Sequence, residues 1–383
     1  MRRVALGLVV GLSFAMGRPG AGQDSAPPRP ILYMNASGGH AVLADGHATT
    51  LPGWEPNMSM PVWAPTGGRW AYAHGDKRTH TISLEVRGWT GHPRTLFTAA
   101  AESFSPDVLA WAPDGARLAT VLFRRAPAEE AVGVFDVAQA KLVARYSLPT
   151  DVIDPERGNL TIRWSPDGRK ILIVDQLALL IDLARGIVDT LARDVLTAQW
   201  APGSDGIYDV VGDAADTTGL IPRKFWELYH RRLDAPAPVK LLGRDSLAAL
   251  GLEPLDPHGI WTASPSGSKL VVWATPLSGK SSDSSTSVVY LYDLLKTAPL
   301  ALEHPAHTVR LPDWWIIRPL EWSPDERSIA MFGLRTKAHD QEFEIRLLDA
   351  QTGTWRTVAQ VTHPGEEADV YLLTNVRLMS WTQ

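Results

Sequence analysis

The sequence predicts an all-β chain: a seven-bladed β-propeller of four-stranded antiparallel blades, its ring closed by N-terminal strands plus the C-terminal strand. Three observations carry that expectation. A tryptophan-led corner recurs along the chain, four short strands can be read between successive corners, and each end of the sequence supplies part of one further set.

The corner reads "WAPTGGRWAYA" from Trp63, "WAPDGARLATV" from Trp111, "WSPDGRKILIV" from Trp164, "WAPGSDGIYDV" from Trp200, "ASPSGSKLVVW" from Ala263 and "WSPDERSIAMF" from Trp322. In every copy a proline stands two places after the lead residue. An apolar residue stands seven places after it: Trp70, Leu118, Ile171, Ile207, Leu270 and Ile329. Ser/Ala-Pro-Asp-Gly suits a type I turn, because proline pre-sets the negative φ of the second position, aspartate tolerates the third and glycine accepts a left-handed fourth. Such a turn joins antiparallel strands and sets the lead tryptophan against the apolar residue on the facing strand. A tryptophan buries roughly 200 Å², which suits it to the space between stacked sheets. Ser165 and Asp167 are therefore expected as turn residues rather than catalysts.

After Trp164 the segments "ILIV" (171–174), "LALLIDLARG" (177–186), "IVDTLA" (187–192) and "VLTAQW" (195–200) read as four strands. After Trp322 the set is "SIAMFGL", "FEIRLLDAQTG", "TWRTVAQV" and "YLLTNVRLMSW". Near the start, "ILYMN", "HAVLAD" and "HATTLP" form three strands without an innermost partner, which the segment ending at Trp381 supplies. Closing the ring in this way spares two unpaired sheet edges from facing water. Six or eight blades follow instead if the irregular stretch 211–262 holds a different number of strands.

The first residues read as a leader. Arg2 and Arg3 precede an apolar run from Val4 to Ala15, and the small residues Gly20, Ala21 and Gly22 follow, the layout of a secretory signal peptide. Arg18 interrupts this run before it reaches the roughly 20 apolar residues of a membrane helix. The expected organisation is residues 1–23 as signal peptide, 24–30 ("DSAPPRP") as disordered lead-in and 31–383 as propeller. The protein is thus expected to be exported, to the periplasm or beyond the cell, with no membrane span after cleavage. The 383 residues carry a formal charge of −5 and no long basic run, which argues against a nucleic-acid partner. Cysteine is absent, so disulfides, thiol catalysis and Cys-ligated zinc drop out, and stability must come from packing.

The "WSPDG" corner, the apolar residue three places after it and the later aspartate-to-glycine turn in "LDAQTG" (348–353) resemble the WD-like propeller repeats of the TolB family. They are similar also to the propellers of prolyl oligopeptidases, tricorn-type proteases and oligogalacturonate lyases. The resemblance covers about residues 31–383 and implies the fold together with a TolB-like binding role in the cell envelope. It departs from its models in two respects. TolB resembles an α/β domain followed by a propeller, whereas strands here begin at Ile31. Peptidase relatives depend on a G-x-S-x-G nucleophile elbow, which this sequence lacks, so no catalytic residue carries over.

Function is expected on long connections held by the rigid sheets. Second-to-third strand connections are read at 74–80, 123–131, 211–223, 275–286 and 334–342, and fourth-to-first links at 52–60, 149–158, 244–259 and 362–370, all on one face. The candidate partner-binding residues there are Trp54, His74, Arg124, Arg125, Asp154, Arg223, Trp314, Trp315 and His339. Trp54, Trp314 and Trp315 suit an aromatic platform for a peptide or glycan, although Trp314 and Trp315 also suit the start of an innermost strand. The expected protein is a monomeric, non-catalytic scaffold with no cofactor and no metal, binding a protein or peptide, or else a glycan. The alternative is an oligogalacturonate-lyase-like enzyme with a histidine-held metal over the central channel, for which His74, His80 and His339 are the loop histidines.

Overall fold

The computed structural model describes residues 31–35, 38–42, 48–50, 53, 58–59 and 61–381 apart from 66–67, 102–104, 126–127, 150–159, 213–225, 236, 244–251, 254–260, 265, 277–286, 294–304, 312–313, 324, 337–340 and 362–377. These residues form antiparallel sheets with a single 3-10 turn, Pro202–Ser204, at one corner. Among them no helix is long and apolar enough to cross a membrane.

The chain opens with β1 (Ile31–Asn35), β2 (Gly38–Val42) and β3 (Ala48–Thr50). Unit one follows as β4 (Val62–Trp63), β5 (Arg69–Asp76), β6 (Thr81–Gly88) and β7 (Arg94–Ala100). Unit two is β8 (Ser105–Trp111), β9 (Arg117–Arg125), β10 (Ala128–Asp136) and β11 (Lys141–Ser147). Next comes one six-stranded sheet of β12 (Thr161–Trp164), β13 (Lys170–Asp182), β14 (Ile187–Trp200), β15 (Gly206–Gly212), β16 (Trp226–Arg232) and β17 (Val239–Gly243).

That sheet holds two repeat units. The first half of β13 pairs with β12 and its second half with β14. The Leu183 N–H donates to the Arg169 carbonyl at 3.1 Å, so the two ends of β13 meet and the strand doubles back near Gln176, whose φ is +57°. Likewise β14 pairs with β13 up to Val195 and with β15 from Val195 onward, changing role beside Asp194, φ +57°. Unit three thus ends and unit four begins within a single strand.

Unit five adds β18 (Leu252–Glu253), β19 (Trp261–Ala263), β20 (Lys269–Pro276), β21 (Ser287–Asp293) and β22 (His307–Leu311). Unit six is β23 (Trp314–Trp322), β24 (Ser328–Thr336), β25 (Gln341–Asp349) and β26 (Trp355–Val361). The last strand, β27 (Leu378–Trp381), pairs with β1, setting Ile31 opposite Trp381, and lies against both β23 and β4.

Side chains alternate between the two neighbouring units, as the two-residue period of a strand requires. Between units one and two, Ala71, Leu84 and Val86 pack against Trp111, Leu118 and Phe135. Between three and four, Leu172, Val174 and Leu180 meet Trp200 and Ile207. Each of these large aliphatic side chains contributes about 1.5–3 kcal/mol by leaving water, so the core is a series of layers between sheets.

Two expected long connections are short. Residues 123–131 carry the polarity expected of a loop, but β9 and β10 pair in register across most of them, Arg124 opposite Glu129 and Arg125 opposite Ala128. In unit one, strand pairing extends to Asp76 opposite Thr81, so His74 lies within β5. In both cases charged residues at strand ends imitated the polarity of a loop.

Candidate functional site

The six complete corners are built alike. The backbone N–H one place after the lead residue donates to the carbonyl five places further on: Ala64 to Arg69, Ala112 to Arg117, Ser165 to Lys170, Ala201 to Gly206, Ser264 to Lys269 and Ser323 to Ser328, at 2.7–2.9 Å. The fourth position is left-handed at Gly115, Gly168, Ser204, Gly267 and Glu326. Glycine suits that conformation best, and the serine and glutamate bear a strain that non-glycine residues normally avoid. Ser165 Oγ donates to Asp167 Oδ1 at 2.6 Å and accepts the Lys170 and Arg169 N–H groups, while Asp167 Oδ1 also accepts the Arg169 N–H. Burial alone would raise the Asp167 carboxyl, but these hydrogen bonds outweigh it and hold the pKa below its ordinary value. Ser323 and Asp325 repeat the pattern, Oγ to Oδ1 at 2.7 Å. Both pairs spend their polar atoms on the turn itself.

Successive units are tied at fixed positions. The indole Nε1 of Trp111 donates to the Val62 carbonyl at 2.9 Å, Trp164 to Ala110 at 3.0 Å, Trp200 to Arg163 at 3.3 Å and Trp322 to Thr262 at 3.1 Å. Each acceptor is the residue just before the previous unit's lead residue. A second tie starts six places after the lead. Arg69 lies over the Trp111 ring and donates to the Gly115 carbonyl; Arg117 lies over Trp164 and donates to Gly168; Lys269 lies over Trp322 and donates to Glu326. A cation held on a ring face and on a carbonyl together fixes both the angle and the spacing of adjacent sheets.

Strand direction divides the connections between two faces. The corners and the third-to-fourth turns emerge on one face, and the second-to-third and fourth-to-first connections on the other. All six corners have one length, 64–68, 112–116, 165–169, 201–205, 264–268 and 323–327. On the opposite face the gaps between strands range from 126–127 and 312–313 up to 213–225, 277–286 and 362–377.

The candidate binding residues are placed as follows. His74 is half-buried, its Nδ1 3.8 Å from Glu85 Oε1. Arg124 pairs with Glu129, which also holds Arg145, on the surface of unit two. Arg125 ends β9, and Trp314 and Trp315 begin the innermost strand of unit six. Trp54, Asp154, Arg223 and His339 lie outside the described residues. Among the described residues no group of three or more His, Asp or Glu side chains stands ready to hold a metal ion.

Sequence reasoning missed a polar cluster on unit one. Glu85, almost fully buried, accepts from the Tyr72 hydroxyl at 2.8 Å and from Ser83 Oγ at 2.8 Å beside His74. Burial and the Glu85 carboxylate push the Tyr72 hydroxyl well above its ordinary pKa. On unit four, the fully buried Asp209 accepts from Arg231 at 3.0 Å; burial raises its carboxyl despite that partner. In unit six, Arg346 donates to the buried Glu344 and lies 4.2 Å from the centre of the Trp355 ring. Cross-strand register brings Tyr72 opposite Glu85 and sets Arg231 beside Asp209, while Ser83–Glu85 and Glu344–Arg346 are same-strand neighbours two residues apart that read in the sequence as ordinary alternating strand residues.

No protein-family model matches the chain, and no curated protein matches it. Solved structures do. An acylaminoacyl peptidase from Pyrococcus horikoshii matches with TM-score 0.51 at 13% identity, over 84% of this chain and 48% of that one. The chain therefore spans about half the length of that peptidase. A periplasmic gluconolactonase from Pseudomonas aeruginosa matches with TM-score 0.51 at 14% identity, over 87% of this chain and 96% of that one. A putative 6-phosphogluconolactonase from Bacteroides fragilis gives 0.50 at 12%, over 90% and 97%. The fold is a β-propeller fold. At these identities the likeness speaks to architecture, since one propeller scaffold carries unrelated activities.

Proposed function

We propose that the chain is a seven-bladed, TolB-like propeller scaffold, exported through its leader at residues 1–23, that docks a protein or peptide partner on the face opposite its corners. One observation carries this reading. The corners are uniform in length and spend polar groups on themselves and on neighbouring corners, whereas the other strand connections vary in length from two residues at 312–313 to thirteen at 213–225 and ten at 277–286. Variable connections on a rigid frame are where recognition is built. Seven blades with closure by both chain ends is supported by the terminal sheet, in which β27 joins β1, β2 and β3 and touches β23 and β4.

The test replaces residues 213–225 and 277–286 with short turns and compares capture of envelope proteins by the variant and the parent. Loss of one stoichiometric protein with an unchanged unfolding transition is the expected outcome; retention by a glycan column instead would reassign the partner class. Turnover of a lactone, a peptide or a uronate oligosaccharide by the purified protein would replace the scaffold by an enzyme. Amino-terminal sequencing of the secreted protein checks the leader, and a mature chain still beginning at Met1 would remove it from the reading.

A further inference from the structure

The ties between units differ in kind around the molecule. Across the seams between units one and two, two and three, and five and six, a tryptophan indole and a basic side chain both cross to the neighbour. The seam between units four and five has neither. Its lead residue is Ala263, and the position six places after Trp200 is Gly206. A side chain cannot be restored at Gly206, because a Cβ there would stand 2.6 Å from the Arg231 carbonyl of the paired strand. Neutral groups take over. Gln199 Oε1 accepts the Ala263 N–H at 2.9 Å, the Gln199 amide donates to Thr262 Oγ1 at 3.2 Å, and the Tyr208 hydroxyl reaches the Gly267 carbonyl at 3.4 Å. That carbonyl is the counterpart of Gly115, Gly168 and Glu326, which receive a charged donor.

The same seam carries polar atoms without partners on its facing surfaces. Tyr208 reaches toward unit five, and His230 is its cross-strand partner; on the other side, Trp261 pairs with Val272 and Tyr292 with Leu270. His230 Nε2, Trp261 Nε1 and Tyr292 Oη are buried and make no hydrogen bond. Burial lowers the His230 pKa, which favours the uncharged ring, and raises the Tyr292 hydroxyl, so no ionised group replaces the missing cation. Buried polar atoms without partners favour any state that lets water reach them.

We infer that the seam between units four and five is a hinge, where these two units shift against each other more readily than units joined by both an indole and a cation. Opening there breaks two or three neutral hydrogen bonds and hydrates three orphaned atoms, whereas opening any charged seam unstacks a cation from a tryptophan and strips the indole of its acceptor.

The absence of native cysteine allows clean spin labelling. Cysteine pairs at the exposed positions Ala235 and Thr308 span the hinge seam, and pairs at Gln139 and Arg185 span the charged seam between units two and three. Pulsed electron resonance on the full chain should give a broad or two-peaked distance distribution for the first pair and a narrow one for the second. Removing two ties with Gln199→Ala and Tyr208→Phe should shift the first distribution further toward long distances. Equal widths at both seams in the parent protein would overturn the inference, whether or not the variants fold. Because the readout needs no partner, failure of the docking reading leaves this result standing, and the reverse also holds.

Discussion

The seams between units two and three and between units four and five join similar sheets by different chemistry. At the first, Trp164 fills the gap, its indole holds the Ala110 carbonyl, and Arg117 covers the ring 4.8 Å from its centre. At the second, a glutamine amide and a tyrosine hydroxyl bridge the gap, and the tryptophan, Trp261, sits two residues earlier with its N–H unpaired. Apolar layers pack both seams, so burial alone does not separate them. The difference teaches that a propeller sets the stiffness of each seam through two or three residues at fixed offsets from the corner, leaving the strands between them free to vary.

The comparison is broken most forcefully at Trp164. Replacing Trp164, which is 7% exposed, by alanine removes the space-filling ring, the indole tie and the platform for Arg117 together. The expected loss is about 3–5 kcal/mol of unfolding free energy, the usual cost of a truncated buried aromatic. Trp164→Phe keeps most of the volume and loses chiefly the hydrogen bond to Ala110, so about 1–2 kcal/mol should go. Urea denaturation measures both, and equal losses for the two variants would show that the indole N–H, rather than the ring volume, holds the seam.

The next effect is smaller and depends on salt. Arg117→Met should cost about 0.5–1.5 kcal/mol at low ionic strength, because a cation–π contact and a charge-assisted hydrogen bond to Gly168 are lost from a side chain one-third exposed. Raising salt from about 0.05 to 1 M should narrow the gap between this variant and the parent, as screening already weakens the parent's tie. Tyr208→Phe at the neutral seam should cost about 0.5–1.5 kcal/mol with no such narrowing, since no charge takes part. Matching salt profiles for the two variants would erase the distinction between the seams.

How much of this was legible follows from range along the chain. The corners were readable because their proline, their left-handed fourth position and their apolar partner all fall within eight residues of the lead, as in Trp164 to Ile171. The basic residue six places after the lead was equally visible at Arg69, Arg117 and Lys269, yet its role depends on the next unit's tryptophan about fifty residues away. The Glu85 and Asp209 clusters gave no local pattern at all, because strand register alone brings Tyr72 and Arg231 to them. Tight hairpins misled for the opposite reason: Arg124 and Glu129 looked like loop residues while pairing across β9 and β10.

The finest test sets two aspartates against each other. Asp167, in a corner, is held below its ordinary value of 3.8 because hydrogen bonds from Ser165 and Arg169 outweigh its partial burial. A lowered folded pKa contributes stability above 3.8 that fades as pH falls through the lower value. Asp209, sealed in the seam between units three and four, is raised above 3.8 by burial, with Arg231 opposing. For a raised carboxyl the sign reverses: stability is fully present below 3.8 and is lost as pH rises through the higher folded value. Asp167→Asn should therefore lie below the parent at neutral pH and converge with it in acid. Asp209→Asn should lie below the parent in acid and gain on it as pH rises. The Asp167 difference should stay under about 1 kcal/mol, since that side chain faces solvent, whereas Asp209→Asn leaves the Arg231 charge without its buried partner and should carry the larger offset, on the order of 3 kcal/mol, on which the pH trend is superposed. Urea midpoints between about pH 3 and pH 7 decide the matter. Parallel curves for the two variants would mean that the seam solvates Asp209 as well as the open corner solvates Asp167, and the sheets would then be less tightly sealed there than Ile207, Leu172 and Val174 make them.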